Sequence, residues 1–148
     1  ACGSTGVGNF AFGVTATVSK QCQTTATNTL SLGSVAYTQT NITSNSNFTM
    51  ACTNGTAYTI GLTPSNGNTA GSGVMKSTAT TSTNPDLVPY HLKSTAGVSG
   101  LTWGSASPNL VTGTGTGSSV SQTVYALVPN ANYRADTYAD TVTINVTY

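Results

Sequence analysis

Apolar and polar residues alternate with a period of two near both ends of the chain. Side chains of a β-strand point alternately to its two faces, so each alternating segment predicts a strand with one buried face. Near the N-terminus the apolar face is formed by Phe10, Phe12, Val14, Ala16 and Val18. Near the C-terminus it is formed by Val142, Ile144, Val146 and Tyr148. No segment has the sustained 3.6-residue period of an amphipathic helix.

Six further segments have the length and composition of strands. Thr, Val and Tyr, which favour strands, are frequent, whereas Glu, a strong helix former, is absent. Clusters of Gly, Asn and Pro separate the segments and predict turns. The 148 residues therefore predict one all-β sandwich domain. The six segments are Leu30–Tyr37, Asn47–Cys52, Ala57–Thr63, Gly73–Ser77, Leu87–Ser94 and Val120–Val128.

The low charge excludes several classes of partner. The chain has four Lys or Arg residues, three Asp and a formal net charge of +1. A surface for nucleic acid or an anionic membrane needs clustered cations, and these four are scattered. We therefore expect no nucleic-acid partner. No run of about 20 apolar residues predicts a transmembrane helix.

Few residues are available for catalysis or metal binding. His91, the single histidine, lies inside a predicted strand, and no G-x-S-x-G motif accompanies it. Asp136 and Asp140 could offer oxygen ligands to Ca²⁺, but no Asx-rich loop surrounds them, and zinc needs more His and Cys ligands than the chain has. The Gly113–Gly117 run predicts a flexible loop, since no Gly-Lys-Ser/Thr of a phosphate-binding loop follows. We expect no enzyme, cofactor, metal or small-molecule substrate.

Two of the three cysteines are placed to form a disulfide. Cys22 and Cys52 lie beside predicted strands, and a bond closing about 30 residues would stabilise the fold by about 3.5 kcal/mol in the chain-entropy model. The alternative is two separate buried thiols. Cys2 is left over in a Gly/Ser-rich leader, where it is free, capped or bonded to another molecule.

The two alternating segments are complementary. Because the sequence ends at Tyr148, we expect no further strand beside the last one, and such an edge exposes unpaired backbone N–H and C=O groups. A strand added to an edge supplies main-chain hydrogen bonds, and its alternate side chains fill pockets. Phe10–Val18 has the pattern for that role, and head-to-tail insertion of this kind produces an open filament.

Most of the chain after residue 9 resembles the spore coat protein U domain, the fold unit of archaic chaperone–usher (Csu-type) pilins. The more specific motifs are Cys22 followed by Cys52-Thr-Asn-Gly-Thr56, and the C-terminal Tyr138-Ala-Asp-Thr-Val-Thr-Ile-Asn-Val-Thr-Tyr148. Less specific matches are Phe12–Val18, Leu30–Gly33, Leu87–Leu92, Leu101–Gly104 and Thr123–Tyr125. The leader with Cys2 departs from the family pattern.

The resemblance implies an immunoglobulin-like β-sandwich that lacks its final strand, with a Cys22–Cys52 disulfide. It divides the chain into a leader (1–9), a donor strand (10–19) and an incomplete domain (20–148). A periplasmic chaperone lends the missing strand during export through an outer-membrane usher, and in the fibre a neighbouring identical subunit replaces it. We therefore expect an extracellular shaft subunit of a helical homopolymer that serves adhesion or biofilm formation.

The resemblance also assigns roles to the two alternating segments. The donor residues would be Phe10, Phe12, Val14, Ala16 and Val18. The edge of the acceptor groove would carry Val142, Ile144, Val146 and Tyr148.

Other functions fit parts of the sequence. In a self-contained secreted or spore-coat binding module, Phe10–Val18 would fold back onto its own domain. A tip adhesin would need an exposed apolar surface, for which the loop Gly97–Pro108 is the candidate. That loop contains Trp103, but a lone Trp in a sandwich is more often packing than contact surface. A pilin with an isopeptide bond would have to use Asp in place of Glu.

Overall fold

The structure is a computed structural model. It describes residue 3, residues 5–81 and residues 83–148, and at residue 26 it describes only the backbone. Within these residues the chain forms nine strands and no helix. The strands are β1 (Cys22–Thr27), β2 (Thr40–Cys52), β3 (Ala57–Pro64), β4 (Ser72–Ser77), β5 (Val88–Lys93), β6 (Val111–Thr114), β7 (Ser119–Asn130), β8 (Tyr138–Ala139) and β9 (Val142–Thr147).

The strands form two antiparallel sheets that pack as a sandwich. The larger sheet has the order β1-β2-β7-β5-β4-β8, and the smaller one has the order β6-β3-β9. The β2–β7 pair is the longest, running from Thr40 opposite Asn130 to Ala51 opposite Ser119. The predicted all-β sandwich is therefore confirmed.

The core lies between the sheets and follows the alternation of the strands. Phe48, Met50 and Cys52 point inward from β2, and Tyr58, Ile60 and Leu62 from β3. Trp103 is 1% exposed. Its indole Nε1–H donates to the carbonyl oxygen of Ile60 at 2.9 Å, which satisfies the one polar atom that it buries. Trp103 is thus a core residue, which confirms the prediction that this lone Trp packs inside the sandwich.

The disulfide between Cys22 and Cys52 is present, so this prediction is confirmed and the alternative of two separate thiols is wrong. The two residues face each other at one end of the β1–β2 ladder. The bond therefore ties the beginning of the folded domain to the end of β2. Cys2 lies outside the described residues.

The predicted strand Leu30–Tyr37 is wrong. Residues 28–37 run alongside β2 without forming a regular ladder with it, and side chains hold them partly in place. The Ser44 hydroxyl donates to the Ser31 carbonyl at 2.5 Å, and the Ser46 hydroxyl donates to the Asn28 carbonyl at 3.2 Å. Gly33 adopts a left-handed conformation, φ 69°, which interrupts an extended strand. The segment still presents Leu30 and Leu32, both half-buried, to the interior.

The interpretation of Gly113–Gly117 as a loop is wrong for its first two residues, which belong to β6. Gly113 lies opposite Tyr58 of β3, and a Cβ atom added to it would lie 2.4 Å from the Tyr58 hydroxyl. The glycine is therefore required because the ring of Tyr58 occupies the space of a side chain.

Candidate functional site: an open groove beside the last strand

Strand β9 lies at the edge of the smaller sheet. It pairs with β3 from Val142 opposite Pro64 to Thr147 opposite Thr59. Among the described residues, no strand pairs with its other edge. The backbone there alternates N–H and C=O groups in the geometry that a further strand requires.

A groove opens between β9 and residues 27–35, with a volume of about 1200 Å³. Its floor is apolar and comes from both sheets. The floor includes Phe48, Leu62, Met75, Val88, Leu92, Val124, Ala126 and Val128. A core residue normally touches neighbours on every side, and here one side of this floor opens to solvent. The sandwich is therefore incomplete along one side.

The four residues predicted for the groove edge take different positions. Val142 and Ile144 line the groove. Val146 is half-buried and packs against the core. Tyr148 is 49% exposed and lies outside the groove lining. The groove thus lies beside the first part of β9, and its lining does not reach the end of that strand.

One end of the groove, where β9 begins, carries acidic side chains, Asp136 and Asp140, and we call it the acidic end. The Asp140 carboxylate accepts hydrogen bonds from the Tyr90 hydroxyl at 2.5 Å and from the Ser65 hydroxyl. Asp136 accepts from the Asn84 amide at 3.0 Å and from the backbone N–H of Thr137 at 2.8 Å.

The Tyr90–Asp140 contact joins the floor of the groove to its rim. Burial raises the pKa of Tyr90, and the hydrogen bond to Asp140 raises it further, so the phenol stays a proton donor. A Cβ atom on Gly73 would lie 2.2 Å from the Tyr90 ring. Gly73 therefore allows the ring to reach Asp140.

The carboxyl of Asp140 has a pKa below its ordinary value of 3.8. Burial alone would raise it, but hydrogen bonds from Ser65, Tyr90 and the backbone of Thr141 together outweigh that effect. Because the folded state holds this proton less tightly than the unfolded chain, Asp140 contributes stability above pH 3.8, and the contribution is lost as the pH falls through the lower folded pKa.

We expect the wild-type domain to lose more stability than the Asp140→Asn variant when the pH is lowered from 7 to about 3. Urea unfolding of both proteins at the two pH values measures the difference. The residual loss in the variant reports the other acids. Equal losses in both proteins would show that the hydrogen bonds to Asp140 do not stabilise the domain.

Residues 5–21 have no regular secondary structure and form an extended arm in front of β1. Its apolar side chains are exposed: Phe10 by 96%, Phe12 by 86%, Val14 by 85% and Val18 by 81%. Ala16 is exposed as well. The arm therefore does not bury these side chains on its own domain, whereas the self-contained module requires such burial.

The arm joins the domain, at what we call its root, at the opposite end of the sandwich from the acidic end. Cys22 faces Cys52 at the end of β2, and β3 begins five residues later with Ala57. Strand β9 runs antiparallel to β3 and ends beside Thr59. The root of the arm and the end of β9 thus lie at one end of the domain, and Asp140 lies at the other.

The catalytic and metal-binding candidates are not assembled into a site. The Nδ1 atom of His91 lies 3.0 Å from the Ser72 hydroxyl, and among the described residues no carboxylate is its hydrogen-bond partner. Asp86 accepts a hydrogen bond from the backbone N–H of Arg134 at 2.9 Å. In the described part of the chain, no group of three or more His, Cys, Asp or Glu could hold a metal ion. A search of the same residues finds no helix of sufficient length and apolar character to span a bilayer.

Sequence reasoning missed Tyr90 and Asp140 as groove residues. One signal could have found Asp140: it has the same parity as Val142 and Ile144, so it continues the inward face of β9. Tyr90 shares the parity of Val88 and Leu92, which line the groove, but its hydrogen bond to Asp140 has no local signal, because it depends on the space above Gly73 in another strand.

The chain matches the family model of the Spore Coat Protein U domain over residues 8–145. A search of curated proteins finds no match.

Two solved structures are similar to the chain. One is the CsuC–CsuE chaperone–tip adhesion subunit pre-assembly complex from archaic chaperone–usher Csu pili of Acinetobacter baumannii, with a TM-score of 0.60 and 19% identity, covering 89% of this chain and 41% of that chain. The other is a chaperone–tip adhesin complex of CFA/I fimbriae biogenesis, with a TM-score of 0.44 and 12% identity, covering 86% of this chain and 42% of that chain. This chain thus spans less than half the length of either match.

The family model covers almost the whole domain and most of the arm, and the first structure has the same sandwich fold. The chain belongs to the Spore Coat Protein U domain family.

Proposed function

We propose that the protein is a structural subunit of a surface pilus, in which the arm of each subunit completes the sandwich of the next. The arm residues Phe10, Phe12, Val14, Ala16 and Val18 would act as the donor strand. They would enter the groove beside Val142 and Ile144, and the backbone of the arm would pair with the free edge of β9. The edge of the acceptor groove would continue along β9 through Val146 to Tyr148.

The observation that carries this proposal is the combination of two exposed apolar surfaces within one chain. A soluble domain rarely leaves two phenylalanines of one strand-like segment almost fully in water. The open groove offers an apolar floor of matching character. Insertion of the arm would bury both surfaces together, and burial of each Phe or Val contributes about 1.5–3 kcal/mol.

The positions of the two ends favour assembly between molecules with a defined direction. The root of the arm lies at the end of the domain that carries the Cys22–Cys52 disulfide, which we call the disulfide end, and the groove opens at the opposite, acidic end. An arm inserted antiparallel to β9 would leave the groove at the acidic end and enter its own domain at that domain's disulfide end. Subunits related in this way stack head to tail, so the contact repeats without closing.

Assembly by this route has further consequences for partners and location. An unfilled groove and an exposed arm are aggregation hazards, so we propose that a periplasmic chaperone fills the groove before assembly and that an outer-membrane usher exports the subunits. The similar solved structure is itself a chaperone–subunit complex. The product would be an extracellular homopolymer, non-catalytic, that serves adhesion or biofilm formation.

Hydrogen–deuterium exchange tests the strand pairing directly. We expect backbone amides of residues 10–19 and of β9 to exchange slowly in the polymer, because each would be hydrogen-bonded to the other, and amides of residues 10–19 to exchange rapidly in dissociated, refolded subunits. Amides of β2 and β7 serve as the control, since that ladder exists within each subunit and should be protected in both states.

The contradictory result is a polymer in which residues 10–19 still exchange as rapidly as in free subunits. The subunits would then be joined through another surface, and the arm would not be a donor strand.

A further inference from the structure

We propose that Lys20 of one subunit forms an ion pair with Asp136 at the acidic end of the next subunit and thereby fixes the direction of strand insertion. This inference rests on the proposed function, because it concerns the strand that would fill the groove. The partner is a second copy of this chain, and the groove occupant is its arm.

Lys20 continues the apolar face of the arm. It has the same parity as Phe10, Phe12, Val14, Ala16 and Val18, so in an extended strand it points to the same side as these residues. It is also the one charged residue in the first 21 positions of the sequence. A strand whose apolar side chains fill the groove would therefore direct a single ammonium group to the same side, at its C-terminal end.

The groove has a complementary end. The chain holds three acidic residues, and two of them, Asp136 and Asp140, line the groove where β9 begins. Asp140 continues the inward face of β9 just as Lys20 continues that of the arm. In an antiparallel pair, the C-terminal end of one strand meets the N-terminal end of the other, so the ammonium group and the two carboxylates would come together.

Asp136 is the better partner of the two. Asp136 is an exposed residue, whereas Asp140 is half-buried and less accessible to an incoming ammonium group. Asp136 keeps its hydrogen bonds with Asn84 and Thr137, and its negative charge attracts an ammonium group whichever groups it already binds. Asp140 would add to the negative potential at the same end.

The nearby cations do not cancel this potential. The Arg134 Nε atom lies 4.0 Å from the Asp86 carboxylate, so these two charges offset each other. Lys76 lies opposite Ala139 in the β4–β8 pair, but it is exposed, whereas its neighbour Met75 lines the groove. Lys76 therefore points to the outer face of the sheet.

Insertion in the opposite direction would lose this contact. An arm parallel to β9 would carry Lys20 to the disulfide end, far from the acidic end. The ion pair thus disfavours the parallel arrangement, and charges of this kind contribute more to the choice of partner and orientation than to affinity.

Charge reversal tests the pair in full-length polymer. We expect Lys20→Glu polymer to dissociate in urea about threefold to tenfold faster than wild type at about 0.05 M salt, since the variant replaces attraction by repulsion at an exposed site. The double variant Lys20→Glu/Asp136→Lys should return to within about twofold of wild type, and the Lys20→Glu effect should shrink at about 0.5 M salt. Ser19→Glu, on the other face of the arm, is the matched control and should change the rate less than Lys20→Glu.

The outcomes separate this inference from the proposed function. Loss of Lys20→Glu polymer that Asp136→Lys restores also supports the pair. Wild-type dissociation rates in Lys20→Glu, or a defect that Asp136→Lys does not correct, overturn the pair while the pilus role stands, because fibres still form. A wild-type chain that forms no polymer overturns the proposed function itself.

Discussion

Aspartate at both Phe12 and Val14 is expected to abolish the polymer while the domain itself stays folded. In the proposed assembly the two side chains lie in the apolar groove, and their burial together contributes at least about 3 kcal/mol. The replacement also forces carboxylates against a floor that offers them no partner, which adds a desolvation cost. Electron microscopy and gel electrophoresis of unheated samples measure the loss of fibres.

A matched variant on the other face of the same arm controls for charge. Ala11→Asp/Thr15→Asp introduces the same two carboxylates at positions that point away from the groove. Both variants alter exposed positions of the arm, so both domains should unfold at the same urea concentration as wild type. Fibres of normal length and stability from Phe12→Asp/Val14→Asp would show that the apolar face of the arm does not join the subunits.

Removal of the Cys22–Cys52 disulfide is expected to lower the free energy of unfolding of the domain by about 3.5 kcal/mol. The bond closes a loop with a sequence separation of 30, so it restricts the unfolded chain, and it also fixes the root of the arm against the end of β2. Chemical unfolding measures the loss against oxidised wild-type protein in two ways, with the Cys22→Ala/Cys52→Ala variant and with reduced wild-type protein. Agreement between the two shows that the loss comes from the missing bond and not from the substitutions.

The Cys2→Ser variant is the control for the third thiol and should unfold like wild type. If reduction of the wild-type protein leaves the unfolding midpoint unchanged, the domain is held together by its core alone. The disulfide would then serve some purpose other than stability.

The alternation of apolar residues predicted the sandwich well, because one face of each strand must reach the core. Val142 and Ile144 belong to the apolar face that the alternation predicted for the last strand, and they line the groove. Residues 28–37 show its limit. Leu30 and Leu32 do point inward, but backbone carbonyls of Asn28 and Ser31 accept hydrogen bonds from serine side chains of β2. Period-two alternation carries no information about which partner a backbone group finds.

The groove itself was predicted in outline and not in detail. The Tyr90–Asp140 hydrogen bond joins residues 50 positions apart and needs Gly73 beneath the ring. Such a contact depends on β4, β5 and the segment between β8 and β9 coming together, so no local pattern indicates it. The role of Gly113 against Tyr58 was hidden for the same reason, since a glycine-rich run resembles a loop until its neighbour in space is known.

The most direct test of strand exchange between subunits is gel electrophoresis of native material, unheated and boiled in SDS, with and without reductant. Donor-strand pairing without covalent bonds predicts a ladder or fibre that survives unheated SDS and collapses to monomer on boiling, whether or not reductant is present. Collapse that requires reductant would assign the linkage to a disulfide, with Cys2 as the available thiol. A monomer under every condition, with no filaments by electron microscopy, would contradict the account and favour the self-contained module.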